Sequence, residues 1–171
     1  MDLVGVYSAL GQRGCNKLVR TISIGALRTY GVYEAIKIRS RLHTLNRQKL
    51  RATSPKLWKR IADGDEALAR DLSEGVLVSN IPFIVAVLDF LGIEHDGSGF
   101  FPGDTDSMNR LTPGWASKVF GEFSGRYPDD LVLLYINHLG WETSTLETPY
   151  LGPGAGTPDA APDQSAQAAS A

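Results

Sequence analysis

The side chains best suited to metal or acid–base chemistry fall in one turn-rich stretch, residues 94–107. It holds His95, Asp96, Asp104 and Asp106, and His138 follows later in the chain. Carboxylate oxygens suit hard divalent cations, and a zinc or iron site can combine histidine with aspartate. The spacing differs from the calcium-loop pattern D-x-[DN]-x-[DN]-G, and no H-E-x-x-H pair occurs. These five residues define one hypothesis, a small metal-dependent or acid–base enzyme.

The same residues also have an interpretation as ordinary loop residues. Asp-Gly and Gly-Asp pairs favour turns, and Asp106 or Ser107 can cap a short helix over residues 108–111. His138 is then a histidine at the edge of the core, stacked on Tyr135 or Trp141. We therefore expect no bound cofactor, with a divalent metal as the alternative.

The sequence contains few signals of a catalytic nucleophile or of a nucleotide-binding site. No G-x-S-x-G, Walker loop or G-x-G-x-x-G motif occurs. The single cysteine, Cys15, excludes an internal disulfide framework, and we interpret it as structural. The sequence thus assigns no catalytic residue, and the interpretation leans away from an enzyme.

Charge is divided unevenly along the chain. Residues 1–60 hold thirteen Lys or Arg and two acids, a net +11, while residues 61–171 hold four and seventeen, a net −13. A basic segment can neutralise nucleic-acid phosphates, and residues 15–42 can form two helices in helix-turn-helix style. Projected on one helix, however, the cations form no stripe, and the acidic remainder would repel a polyanion. The cations with the best claim to contact a partner are Lys37, Arg39, Arg41, Arg47, Lys49 and Arg51.

A second interpretation of the charge division is electrostatic complementarity. The basic first third would pack beside the acidic remainder, within one molecule or between copies, and the summed field would orient the association. Phe100 and Phe101 add to this interpretation, because adjacent phenylalanines in a polar glycine loop rarely both point inward. Either one of them anchors a partner, or both close the loop over the core.

The elements that position these residues are predicted to be helices. Caps and starts are expected at Ser54-Pro55, Asp63–Glu66, Asn80, Thr112-Pro113 and Pro128–Asp130, and stops at Gly92 and at Gly140, where a left-handed glycine is expected. Apolar residues recur at helical spacing between these signals. Helix is also favoured over residues 17–51, although Ile36–Arg39 alternates as a strand would.

We therefore predict an all-α fold, a compact orthogonal array or bundle of five to seven helices. Residues 1–151 form a single helical domain, basic over 1–60 and acidic over 61–151, and the Gly/Pro/Ala/Ser-rich residues 152–171 form a disordered tail. A secretory signal is not expected, and the longest apolar run, Ile81–Leu88, is far short of the roughly 20 residues that cross a bilayer. Together with the lone cysteine, this favours a cytoplasmic location.

The favoured function is a non-enzymatic helical interaction or scaffold module that docks on a protein partner or on itself. Nucleic-acid binding through residues 20–60 is the first alternative. The metal-dependent or acid–base enzyme that uses the 94–107 loop is the second.

Overall fold

The computed structural model describes residues 2–32, 47–102 and 109–154. Over these ranges the chain forms helices and no β-strand. The seven helices are α1 (Leu3–Thr21), α2 (Ile24–Thr29), α3 (Arg47–Ala62), α4 (Glu66–Val78), α5 (Ile81–Leu91), α6 (Trp115–Phe123) and α7 (Asp129–Glu142). The all-α prediction of five to seven helices is confirmed. Residues 155–171, most of the predicted tail, lie outside the described residues, as does the Ile36–Arg39 stretch.

Several helix ends follow the local signals in the sequence. The Asp65 carboxylate accepts a hydrogen bond from the Leu68 backbone N–H at 3.0 Å and caps α4. Gly92 ends α5 in the left-handed conformation, with φ at 68°. Pro128 precedes α7, whose first turn carries two aspartates that favour the positive end of the helix dipole.

Three local predictions are wrong. Pro55 does not begin a helix but lies inside α3, which already runs from Arg47. Thr112 does not cap α6; its carbonyl accepts from Trp115 N in a turn, and Gly114, at φ 79°, is the residue before the helix. Gly140 is not a left-handed stop, because α7 continues through it to Glu142.

One apolar core joins the helices. The first helix, which begins at Leu3 and bends at Gly11, packs along α3, α4 and α7. Tyr7 is fully buried at this junction, and its hydroxyl lies 3.2 Å from Ser73 Oγ on α4. The Trp58 indole N–H of α3 donates to the Tyr7 carbonyl. Contacts from two further helices therefore converge on one residue of α1.

The last helix completes the core. Leu131, Leu134, Tyr135 and Leu139 are buried, as their spacing predicts. The amide of buried Asn137 fastens the segment after α7: its oxygen accepts from Tyr150 N at 2.7 Å, and its nitrogen donates to Tyr150 O at 2.8 Å.

Among the described helices, none is by itself long and apolar enough to cross a membrane. Taken together, α4 and α5 would be long and apolar enough by length and composition alone, but the pair is bent by 81° at its junction.

Candidate functional site

An open groove of about 800 Å³ lies between α4, α5, α7 and the loop before residue 102. We call it the aromatic groove. Its buried lining includes Leu77, Ile84 and Tyr135. Its exposed lining includes two aromatic side chains, Phe100 at 68% and Trp141 at 52% exposure, together with Val78 at 45%. The volume lies within the range of ligand-binding clefts.

Helical spacing explains which residues of α4 and α7 line the groove. From α4, Glu74, Leu77 and Val78 lie at i, i+3 and i+4, so they share one face. From α7, the spacing i, i+3, i+6 and i+7 brings four side chains to the same surface. They are Tyr135, His138, Trp141 and Glu142.

The polar side chains that line the aromatic groove are two carboxylates, one histidine, one serine and two tyrosine hydroxyl groups besides the Trp141 indole. The His138 Nε2 lies 3.3 Å from Glu142 Oε1, and the His138 ring centre lies 6.3 Å from that of Trp141. Burial of the Tyr135 hydroxyl and, second, the charge of Glu142 raise the pKa of Tyr135 above its usual value. Glu74 is the second carboxylate of the lining. The groove thus joins an apolar surface to negative charge.

A second cleft, of about 590 Å³, adjoins the aromatic groove. It shares Glu74, His138 and Trp141 with the groove, and continues past Arg70 to Asp2 at the start of α1. Trp141 therefore stands between two concave surfaces, and an elongated segment of chain can contact both.

The loop that carries Phe100 is held by its own polar side chains. The Gly97 N–H donates to His95 Nδ1 at 3.0 Å, so His95 Nε2 carries the proton and donates to Asp89 Oδ1 at 3.0 Å. Asp96 accepts from the backbone N–H and the hydroxyl of Ser98, and these hydrogen bonds lower the pKa of Asp96. His95 and Asp96 accordingly shape the loop.

The glycine at position 99 brings this loop onto α5. Gly99 has φ at 88°, and a Cβ built on it would lie 3.0 Å from Ile84 Cγ2. The loop can approach α5 this closely because residue 99 has no side chain. Phe101 is then partly buried against the core, while Phe100 is exposed beside the groove.

The metal-site candidates do not converge in the part of the chain that the structure describes. His138 lies in the aromatic groove, whereas His95 and Asp96 are engaged within their own loop. Among the described residues, no group of three or more His, Cys, Asp or Glu could hold a metal ion. Asp104 and Asp106 lie outside the described residues, so the metal-dependent enzyme stays a prediction. Cys15 is buried, which raises the pKa of its thiol to about 12 and keeps it protonated.

Much of the predicted basic surface lies outside the described residues. This applies to Lys37, Arg39 and Arg41 and to the side chains of Arg47 and Arg51, while Lys49 is described and exposed. Two ion pairs join the basic and acidic parts over the described ranges. They are Lys17 Nζ to Asp130 Oδ2, at 2.8 Å, and Arg60 to Asp65.

Five other cations of the basic part are exposed and form no ion pair with the described residues: Arg13, Arg20, Arg28, Lys56 and Lys59. Pairing within the described molecule therefore accounts for only part of the positive charge.

No protein family, curated protein or solved structure matches this chain. The candidate function consequently depends on the geometry of the aromatic groove. The sequence indicated Phe100 and His138 separately, with His138 beside Tyr135 or Trp141, but it did not indicate Glu74 and Glu142 as companions. A signal for part of the set was present, because Tyr135, His138 and Glu142 recur at i, i+3 and i+7 on one helix face.

Proposed function

We propose that this chain is a protein-interaction module that binds a segment of a partner protein in the aromatic groove. The observation that carries the proposal is the pair Phe100 and Trp141, each more than half exposed beside one concave apolar surface. Burying a side chain of this kind stabilises a complex by roughly 1.5–3 kcal/mol. Aromatic residues are enriched at the cores of protein interfaces, and tryptophan is enriched among their hot spots.

The occupant is taken to be a protein segment because the surface is long and open. The groove and the adjoining cleft share three lining residues, so together they form a continuous path from Phe100 past Trp141 to Asp2. An extended or helical segment can place successive apolar side chains along such a path.

A peptide-display selection on the immobilised full chain tests the proposal. Selected peptides should bind in solution, and Phe100→Ala or Trp141→Ala should weaken them about tenfold or more, the effect of removing an interface hot spot. Phe90→Ala is the matched control: Phe90 is 45% exposed, but its ring packs edge-on against Phe123 and it is not part of the groove lining.

Two results would overturn the proposal. One is a selection that enriches no peptide. The other is a set of peptides that bind both groove variants as tightly as the unaltered chain. Sedimentation that shows a dimer lost in Trp141→Ala would replace the separate partner with a second copy of this chain.

A second candidate, binding of a nucleic acid, is supported by the exposed cations of α1 and α3. Arg13, Lys17 and Arg20 lie at i, i+4 and i+7, so they share one face of α1. Binding of duplex or single-stranded DNA should fall steeply between 50 and 200 mM salt, and neutralising Arg13 and Arg20 should reduce the log–log slope by about 1–2. Binding that is absent or independent of salt would reject this candidate.

A further inference from the structure

The loop that carries Phe100 contains a histidine whose two ring nitrogens have different roles. His95 follows the end of α5, and its side chain is 12% exposed. Its Nδ1 accepts from the Gly97 N–H at 3.0 Å, and its Nε2 lies 3.0 Å from Asp89 Oδ1. A ring nitrogen that accepts a hydrogen bond carries no proton, so this arrangement requires the neutral imidazole.

Protonation of His95 would change its two contacts in opposite directions. The Nε2–H already donates to Asp89 on α5, and a positive charge on the ring would strengthen that hydrogen bond. At Nδ1 the acceptor would become a second donor that faces the Gly97 N–H, so this hydrogen bond could not persist. The protonated ring would therefore stay with α5 and lose its hydrogen bond to the loop.

The charged groups near His95 are carboxylates of its own loop and of α5. Glu94 and Asp96 flank it in the sequence, and the Asp96 carboxylate accepts from the N–H and the hydroxyl of Ser98. Among the described residues, His95 forms an ion pair with Asp89, and no charged group of another helix does so. The Asp89 side chain is 68% exposed, and an ion pair with so exposed a partner contributes little. The Gly97 hydrogen bond therefore decides how protonation affects the loop.

The turn that this histidine stabilises determines where Phe100 lies. The Gly97 hydrogen bond fixes the start of the turn, and Gly99 packs against Ile84 on α5. The Asp96 N–H donates to the Phe100 carbonyl and closes the turn at the residue that borders the aromatic groove. A change at the start of the turn is thereby transmitted over a few residues to an aromatic side chain of the groove.

We propose that His95 makes binding in the aromatic groove sensitive to pH. The neutral imidazole holds the turn with Phe100 beside the groove, and protonation of His95 releases the turn and weakens binding. The proposal rests on the proposed function, because it concerns regulation of the same groove. The hydrogen bonds fix its sign: binding is strongest where His95 is neutral and declines as the pH falls and the imidazole gains a proton.

NMR spectroscopy of the full chain tests the switch without any partner. Because Gly99 packs against Ile84, a nuclear Overhauser effect between the Gly99 Hα protons and the Ile84 Cγ2 methyl group reports the position of the loop. This effect should be strong at about pH 7.5 and weaken towards about pH 5, over the range in which the His95 ring signals titrate. EDTA in every sample keeps metal ions from competing with protons for the imidazole.

Binding of the displayed peptides tests the consequence for the groove. The unaltered chain should bind them about three- to tenfold more weakly at about pH 5 than at about pH 7.5, the effect of one lost hydrogen bond. His95→Asn should abolish this difference, because an asparagine Oδ1 can accept from the N–H two residues on but does not titrate.

His138→Gln is the matched control for the other histidine of the described ranges, which lines the groove itself. Whatever its affinity, this variant should retain the three- to tenfold pH response, because His95 is unaltered.

The two measurements distinguish failure of the switch from failure of the proposed function. A contact between Gly99 and Ile84 that stays unchanged while the His95 ring titrates would refute the switch, and so would an equal pH response in His95→Asn. Displayed peptides that depend on Phe100 would in that case still support the proposed function. If no peptide binds, the proposed function fails, whereas a loop contact that weakens as the ring titrates still supports His95 as the pH-sensitive residue of this loop.

Discussion

Gly140→Ala should destabilise the fold although alanine is the better helix former. Gly140 lies inside α7, and a Cβ at this position would lie 2.5 Å from Leu146 Cγ and 2.9 Å from Leu146 Cβ. The Leu146 backbone cannot easily retreat, because the N–H groups of Thr145 and Leu146 both donate to the Gly140 carbonyl. Helix propensity favours alanine by about 1 kcal/mol, whereas overpacking and weakened hydrogen bonds cost about 2–4 kcal/mol.

The net expectation is a loss of about 1–3 kcal/mol in the free energy of unfolding, or about 2–4 °C in Tm for each kcal/mol in a chain of this size. Urea unfolding followed by circular dichroism measures it, with an unchanged m-value as the sign that only stability changed. Gly121→Ala is the control, since Gly121 lies exposed in α6 and an added Cβ meets nothing within 4 Å. It should stabilise the protein by about 0.5–1 kcal/mol.

A double variant tests the cause of the loss. Leu146→Ala removes the Cγ and Cδ atoms that the new methyl group would meet, so Gly140→Ala should cost about 1 kcal/mol less in that background. If the two changes are additive, the clash with Leu146 is not the cause. A Gly140→Ala protein as stable as the original would refute the reasoning altogether.

Three further perturbations follow from local geometry. Gly11→Ala should cost about 1–3 kcal/mol in urea unfolding, because φ 67° and ψ 178° is a conformation that side chains rarely adopt; unchanged stability would contradict the bend in α1. Asn137→Ala should lower the free energy of unfolding by about 2–4 kcal/mol and speed amide exchange at Tyr150, because it removes the acceptor of the Tyr150 N–H. An amide at Tyr150 that stays protected in this variant would contradict the role of Asn137. The hydrogen bond from the Leu68 N–H and, second, that from Arg60 lower the pKa of Asp65 in the folded protein. Asp65 should therefore stabilise the fold fully above the pKa that it has in the unfolded chain, and this stabilisation should be lost as the pH falls through its pKa in the folded protein. Asp65→Asn should reduce this acid sensitivity of Tm, and an identical pH profile would exclude Asp65 as its source.

The helix ends show how far local sequence can predict this fold. The helix start at Asp63–Glu66 and the stop at Gly92 were predicted correctly, because each signal acts within a few residues. In the structure the Asp65 carboxylate accepts a nearby backbone N–H, and Gly92 adopts a left-handed φ. Pro55 and Gly140 carry equally clear local signals but were misassigned. Tertiary packing determined the helical conformation at both positions. Leu50 and Leu57 are buried on either side of Pro55, and Leu146 packs against Gly140.

In the candidate site, the contributions of local sequence and of tertiary packing are separated more clearly. The sequence by itself determined the helical class, the inward face of α7 and the unusual position of Phe100 in a polar loop. Only the tertiary structure brought Phe100 beside Val78 and Trp141, residues that belong to three separate parts of the chain. Apolar periodicity specifies which face of each helix is buried but not which helices meet, because that depends on how all the faces pack together around one core. The groove is a product of that packing.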